Sequence, residues 1–130
     1  MNRPKKKRNL IILLVEDENI VTLDIQRMLN NLGHRVEYIT PRGEEAVDMV
    51  KEIKPDLILM DIKLQGEIDG IEAARRIRSQ LYTPIIYISA LSDEETRKKA
   101  GQYQPCLFLS KPIEEKDLQK AIWKIQYERV

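Results

Sequence analysis

A chain of 130 residues, 42% of them hydrophobic, is long enough for one compact domain with a buried core and too short for two ordinary ones. Its 22 basic and 21 acidic side chains nearly cancel, so the overall charge favours neither nucleic acid nor a membrane surface as a partner. The single cysteine, Cys106, excludes an internal disulfide, and no apolar run approaches the roughly 20 residues that span a bilayer. We therefore expect a cytoplasmic protein.

The basic charge is concentrated at the start of the chain. Residues 1–9 contain five basic side chains, whereas the remainder is net acidic. Such a segment resembles a localisation or nucleic-acid-binding stretch in composition. We interpret it as a solvated flexible tail, because the acidic remainder disfavours a nucleic-acid-binding face. The expected organisation is a basic tail over 1–9 and one domain over 10–130.

Five short apolar runs predict strands at residues 10–15, 36–39, 57–60, 85–88 and 106–109. A segment with helical spacing of apolar residues follows each run, and the segment from Asp93 to Ala100 has the weakest helical pattern. Gly33 is placed to end the first helix, and Pro55 and Pro84 precede the third and fourth strands. The chain therefore alternates strand and helix five times.

This alternation predicts an α/β fold with a five-stranded parallel sheet. Strands that are apolar throughout are buried on both faces, so the five helices should cover both faces in a doubly wound arrangement. In such sheets, ligands bind outside the carboxyl ends of the strands. The candidate site is expected at that edge.

Polar side chains stand at the carboxyl ends of four of the predicted strands. They are Glu16 and Asp17 after the first strand, Asp61 after the third, Ser89 after the fourth and Lys111 after the fifth. Carboxylates crowded into one crevice raise each other's pKa unless a cation is present, and Mg²⁺ prefers oxygen ligands. Asp61 could then attack phosphorus as a nucleophile. Lys111 would neutralise charge on the transferring group, and Ser89 could hydrogen-bond one of its oxygens.

These residues resemble the receiver domains of two-component response regulators over residues 10–128. The matching residues are Glu16, Asp17, Asp61, Ser89 and the Lys111-Pro112 pair. The resemblance implies a flavodoxin-like sheet with strand order 2-1-3-4-5. It also implies Mg²⁺ bound by the paired acids, by Asp61 and by the backbone carbonyl of Lys63. No organic cofactor is implied.

The same resemblance implies a phosphoacceptor signalling domain and not a turnover enzyme. Asp61 would take a phosphoryl group from a histidine kinase or a phosphotransfer protein. Ser89 and Phe108 would be the switch residues, and the surface around the fourth helix, fifth strand and fifth helix would respond. Trp123 lies off the apolar stripe of the last helix, which makes that helix a candidate surface for a homodimer. The sequence does not identify a downstream target.

Two features depart from the family pattern. Glu16 stands where the family more often has aspartate, so its longer side chain is expected to reach the metal through water. The loop after Asp61 has Gln65 in place of a usual proline, and Gly70 comes nine residues after Asp61 instead of eight. The Asp69-Gly70 step still predicts the start of a helix.

Simpler interpretations and other functions stay open at this point. An acidic run after a strand is ordinarily a solvated helix start, Ser89 could bond a nearby backbone group, and Phe108 could be ordinary core. A flavin-binding module would need hydroxyls and glycines in the first loop, where residues 16–18 would repel a phosphate. A Mg²⁺-dependent phosphohydrolase would ordinarily carry its aspartate after the first strand. A degenerate receiver acting as a scaffold would not need the full acidic set.

Overall fold

The computed structural model describes residues 10–90 and 94–127, and the predicted basic tail lies outside them. Within these two segments five strands alternate with five helices. The strands are β1 (Ile12–Val15), β2 (Val36–Thr40), β3 (Leu57–Asp61), β4 (Ile85–Ser89) and β5 (Cys106–Ser110). The helices are α1 (Asn19–Asn31), α2 (Gly43–Ile53), α3 (Gly70–Arg78), α4 (Glu94–Gly101) and α5 (Glu115–Tyr127). The predicted fourth helix is thus present from Glu94 onwards, and Asp93 lies outside the described residues.

The strands form one parallel sheet in the order β2-β1-β3-β4-β5, as predicted. The register brings the carboxyl ends of the central strands together. Asp61 at the end of β3 is opposite Ile88 of β4, and Ser89 at the end of β4 is opposite Ser110 of β5. Residues far apart in sequence therefore meet at one edge of the sheet.

Two apolar layers cover the sheet. One joins α1 and α5 to alternate residues of the strands, and the other joins α2, α3 and α4 to the intervening residues. The predicted stripes of α1 and α5 supply most of the helical part of the first layer. The two layers bury β1 and β3 on both faces, which is the reason for the apolar sequences of β1 and of residues 57–60 of β3.

Helix ends and surface residues also follow the sequence predictions. Gly33 adopts a φ of +87° just beyond α1, a conformation that glycine adopts readily. Trp123 is 51% exposed on α5, off the apolar stripe. A homodimer through this helix stays a prediction. No helix in the two described segments has the length and apolar character needed to cross a bilayer.

Candidate functional site

Asp61 is the last residue of β3 and is 3% exposed. Its two carboxylate oxygens have different partners. Oδ1 accepts a hydrogen bond from the backbone N–H of Lys63 at 3.2 Å, and Oδ2 accepts one from Lys111 Nζ at 3.1 Å. The buried strand and these two donors therefore hold the carboxylate in one orientation at the edge of the sheet.

Lys111 follows β5 directly, and its backbone N–H bonds to the carbonyl of Ser89 on β4 at 2.8 Å. Besides Asp61, its ammonium lies 3.3 Å from Glu16 Oε1 and 3.5 Å from Glu18 Oε1. Burial alone would lower the pKa of Lys111, but the hydrogen bond and the attraction of Asp61, with that of Glu16, raise it above its usual value. Lys111 is a cation at neutral pH.

Glu16 directly follows β1, and its side chain is fully buried. Its backbone N–H bonds to the carbonyl of Thr40 at 3.1 Å, and its Oε2 accepts from the backbone N–H of Glu18 at 3.0 Å. Burial raises the pKa of Glu16 to about 7, and the neighbouring Asp61 carboxylate adds to the rise. An ionised Glu16 therefore needs more positive charge than Lys111 alone supplies.

Asp17 joins the loop after β1 to the loop after β3. Its Oδ2 accepts a hydrogen bond from the backbone N–H of Gln65 at 3.0 Å. Together with Glu16, Glu18 and Asp61 it presents carboxylate oxygens that all lie within 4.8 Å of one another. Four carboxylates this close suit a hard divalent cation, which binds oxygen ligands. Glu18 was not predicted as a member, although its place in the acidic run beside Asp17 was a usable signal.

The loop after β3 ends at Gly70, the first residue of α3, which packs against the backbone of Asp61 and Ile62. A Cβ at Gly70 would overlap the carbonyl oxygen of Asp61 and would lie 2.9 Å from the Cα of Ile62. The backbone N–H of Gly70 bonds to the carbonyl of Ile62 at 2.8 Å. Asp69 caps the helix by accepting from the backbone N–H of Glu72 at 2.8 Å, as the Asp69-Gly70 step predicted. The close contact explains the glycine, which the sequence alone did not.

The remaining predicted residues lie on or beside the same strands. Ser89 is the half-buried last residue of β4, the neighbour of the Asp61 strand. Phe108 is half-buried in the middle of β5 and stacks on Tyr87 of β4, with 5.2 Å between ring centroids. Lys63 is exposed two residues beyond Asp61, and the metal-binding role of its carbonyl stays a prediction.

Comparisons with known proteins identify the family of this chain. The response regulator receiver domain model matches residues 12–123. The transcriptional regulatory protein PdtaR of Mycobacterium tuberculosis is 34% identical over 111 residues, which are 85% of this chain and 54% of that protein. The chain thus spans about half the length of this curated relative.

Solved receiver domains have the same fold. The signal receiver domain of a modulated diguanylate cyclase from Desulfovibrio desulfuricans G20 is 32% identical with a TM-score of 0.84, over 92% of this chain and 95% of that one. The receiver domain of the sensor histidine kinase PA1611 from Pseudomonas aeruginosa PAO1, with a magnesium ion in its active site cleft, is 34% identical with a TM-score of 0.79, over 91% and 97%. The family match and these likenesses agree with one another, and the chain belongs to the response regulator receiver domains.

Proposed function

We propose that Asp61 accepts a phosphoryl group from a phosphohistidine of a histidine kinase or phosphotransfer protein. The observation that supports this most directly is the oriented carboxylate of Asp61. Lys111 Nζ lies 3.1 Å from one of its oxygens, and three further carboxylates surround it. In the transfer, the bond from phosphorus to the donor imidazole breaks as a bond to an Asp61 oxygen forms, and the imidazole takes up a proton. Lys111 offsets negative charge on the transferring oxygens. A histidine kinase takes its phosphoryl group from ATP, which is a cytoplasmic compound. We therefore infer a cytoplasmic location.

The carboxylate cluster supports Mg²⁺ as the metal of this reaction. Asp17 and Asp61 would hold it directly, Glu16 through water, and the carbonyl of Lys63 would complete the protein ligands. The raised pKa of the buried Glu16 fits this assignment, because a nearby divalent cation would favour its ionised form. When bound, Mg²⁺ would offset the charge of the carboxylates and of the phosphoryl oxygens.

The surface of α1 supports a protein as the phosphodonor. An open groove of about 630 Å³ lies between α1 and the residues that follow β5, and Lys111 lines it beside apolar side chains. Ile20 and Leu23 of α1 are 82% and 66% exposed there. Neighbouring exposed apolar side chains beside a charged site are typical of protein contacts. A donor domain that covers this groove would bring its histidine to Asp61.

The receiver is a signalling domain and not a turnover enzyme, and its output would be a change of surface. We infer that Ser89 bonds a phosphoryl oxygen and that Phe108 responds. Ser89 ends β4, which precedes α4, and Phe108 lies on β5, which precedes α5. The surface formed by α4, β5 and α5 would then bind a downstream protein.

The phosphoacceptor is tested by incubating the protein with Mg²⁺ and a small acyl phosphate and measuring incorporated phosphate by mass spectrometry. Asp61→Asn keeps the shape of the side chain and removes the nucleophilic carboxylate, so incorporation should fall from near one per chain to background. Asp48→Asn, an equal change on the exposed face of α2, is the control and should keep full incorporation. Full incorporation in Asp61→Asn would place the acceptor elsewhere, and sustained release of phosphate from many phosphoesters would support a hydrolase.

The metal is tested with Asp17→Asn. The asparagine oxygen can still accept from the Gln65 backbone, so the fold should be kept while the ligand charge is lost. We expect Mg²⁺ affinity to fall at least about tenfold while the free energy of unfolding without metal stays equal or rises, because carboxylate repulsion is relieved. Calorimetric titration with Mg²⁺ and urea unfolding measure the two quantities. An unchanged Mg²⁺ affinity would rule Asp17 out as a ligand.

A further inference from the structure

Helix α4 is attached to the sheet by little apolar surface. Over Glu94–Gly101 a single residue, Ala100, is buried, and most of the other side chains are charged and exposed. Helical stability in proteins comes mainly from packing of an apolar face, so α4 should depend strongly on the other contacts of its side chains with the sheet. The position of α4 is therefore sensitive to any single interaction with the sheet.

One such interaction involves two contacts made by the ring of Phe108. The guanidinium carbon of Arg97, on α4, lies 5.4 Å from the ring centroid of Phe108 on β5. The Phe108 ring also stacks on Tyr87 of β4, with 5.2 Å between the ring centroids and an angle of 24° between the rings. The register places Tyr87 directly opposite Phe108 across the two strands. Arg97 therefore reaches the sheet through an aromatic pair that joins β4 and β5.

Tyr87 carries a buried hydroxyl that has no hydrogen-bond partner among the described residues. The whole residue is fully buried. A buried hydroxyl that makes no hydrogen bond is unfavourable, whereas a phenyl ring in the same place would have no such penalty. The stack would be more favourable with phenylalanine at this position, so the tyrosine weakens it.

We propose that Arg97, Phe108 and Tyr87 form a latch that holds α4 against the sheet, and that the Tyr87 hydroxyl keeps this latch easy to open. Moving α4 away from β4 and β5 gives the hydroxyl access to water, so the penalty exists in the closed position and is relieved in the open one. Arg97 and Tyr87 are positioning residues that act through Phe108. Tyr87 is two residues before Ser89 on the same strand face, so the latch lies next to the proposed site.

The signalling meaning of the latch rests on the proposed function, but the latch itself is measurable in protein that has received no phosphoryl group. The measurement is amide hydrogen exchange of the α4 amides at residues 98–101, with the α3 amides at residues 74–78 as an internal reference. Arg97→Gln removes the contact with Phe108, and Lys98→Gln removes an equal charge from an exposed side chain of the same helix. Tyr87→Phe keeps both rings and removes only the hydroxyl.

We expect Arg97→Gln to speed exchange of the α4 amides about two- to fivefold, because losing an exposed cation–π contact changes the opening equilibrium by about that factor. Exchange in α3 should not change. Lys98→Gln should leave exchange at the parent rate. Tyr87→Phe should slow exchange in α4 at least about twofold, the opposite direction from an ordinary core substitution.

Equal exchange in the two glutamine variants would overturn the contact with Phe108. Unchanged or faster α4 exchange in Tyr87→Phe, relative to α3, would overturn the role of the hydroxyl. Both results are independent of whether Asp61 accepts phosphate.

Discussion

Helices α3 and α4 are consecutive, and both pack on the same face of the sheet, yet they are attached in different ways. α3 buries four of its nine residues, begins with the Asp69 cap, and carries ion pairs from Glu72 to Arg75 and Arg76. α4 buries Ala100 alone of its eight residues. The first helix is anchored by a cap, by ion pairs and by a buried face, whereas the second buries little surface over Glu94–Gly101.

The difference corresponds to what each helix adjoins. α3 begins against the carbonyl of Asp61, so its anchoring keeps the end of β3 and the loop after it in place. α4 follows β4, which ends in the predicted switch residue Ser89. Segments with few buried contacts open at low free-energy cost, and conformational change is drawn from such segments. Under the proposed function, α3 would support the phosphoacceptor and α4 would be the helix available to move.

The largest effect is expected from a single methyl group placed at the start of α3. Gly70→Ala brings its Cβ into the backbone of Asp61 and Ile62, which cannot move aside without displacing β3, and should lower the free energy of unfolding by about 2–3 kcal/mol or more. Gly101→Ala in α4 is the matched control, since nothing lies within 4 Å of a Cβ there, and it should be neutral or stabilising by up to about 1 kcal/mol. Urea unfolding measures both. Equal losses in the two variants would mean that the contact at Gly70 is not tight.

A smaller effect is expected from the cap of α3. Asp69→Ala removes the acceptor for the backbone N–H of Glu72 and should reduce the free energy of unfolding by about 1 kcal/mol. Asp69→Ser retains a capping oxygen and should recover most of that loss. Thermal and urea unfolding of the three proteins provide the measurement. If serine is no better than alanine, the side-chain hydrogen bond contributes nothing and the anchoring of α3 lies elsewhere.

The smallest effect is expected from the exposed ion pairs of α3, and it should depend on pH. Hydrogen bonds from Arg75 and Arg76 lower the pKa of Glu72 to about 2 from an ordinary value of 4.5. Because the pKa is lower in the folded state, the stabilisation is present above pH 4.5 and is lost as the pH falls towards 2. Glu72→Gln should be slightly less stable than the parent at pH 7, and the difference should vanish near pH 2 and shrink in high salt. Glu94→Gln, in the first turn of α4, controls for the loss of one charge. A difference that persists unchanged at pH 2 would contradict the ion pairs.

Much of this architecture was predictable from local patterns. The apolar runs placed all five strands to within two residues of their ends, and the helical stripes and punctuating residues such as Gly33 marked the helices. α4 was the weakest prediction, because its sequence is mostly charged and its one buried residue provides little apolar periodicity. The order of the sheet came from the resemblance to receiver domains, since strand neighbours are not a local property of the chain. The predicted roles of all the site residues stay predictions: Glu16, Asp17, Asp61, Lys63, Ser89, Phe108 and Lys111.

The sequence by itself determined which elements form and which side chains stand at the strand ends, because periodicity and strand ends are local. Only the tertiary structure decided what those side chains touch. It brought Lys111 within 3.5 Å of Glu18 and buried the Glu16 carboxylate, whose pKa is raised by the loss of solvent. It also placed Gly70 in close contact with the backbone of Asp61, nine residues away along the chain. Such contacts depend on how strands and helices separated in sequence pack together, and a distance of a few ångströms between them is set by that packing and not by any single segment.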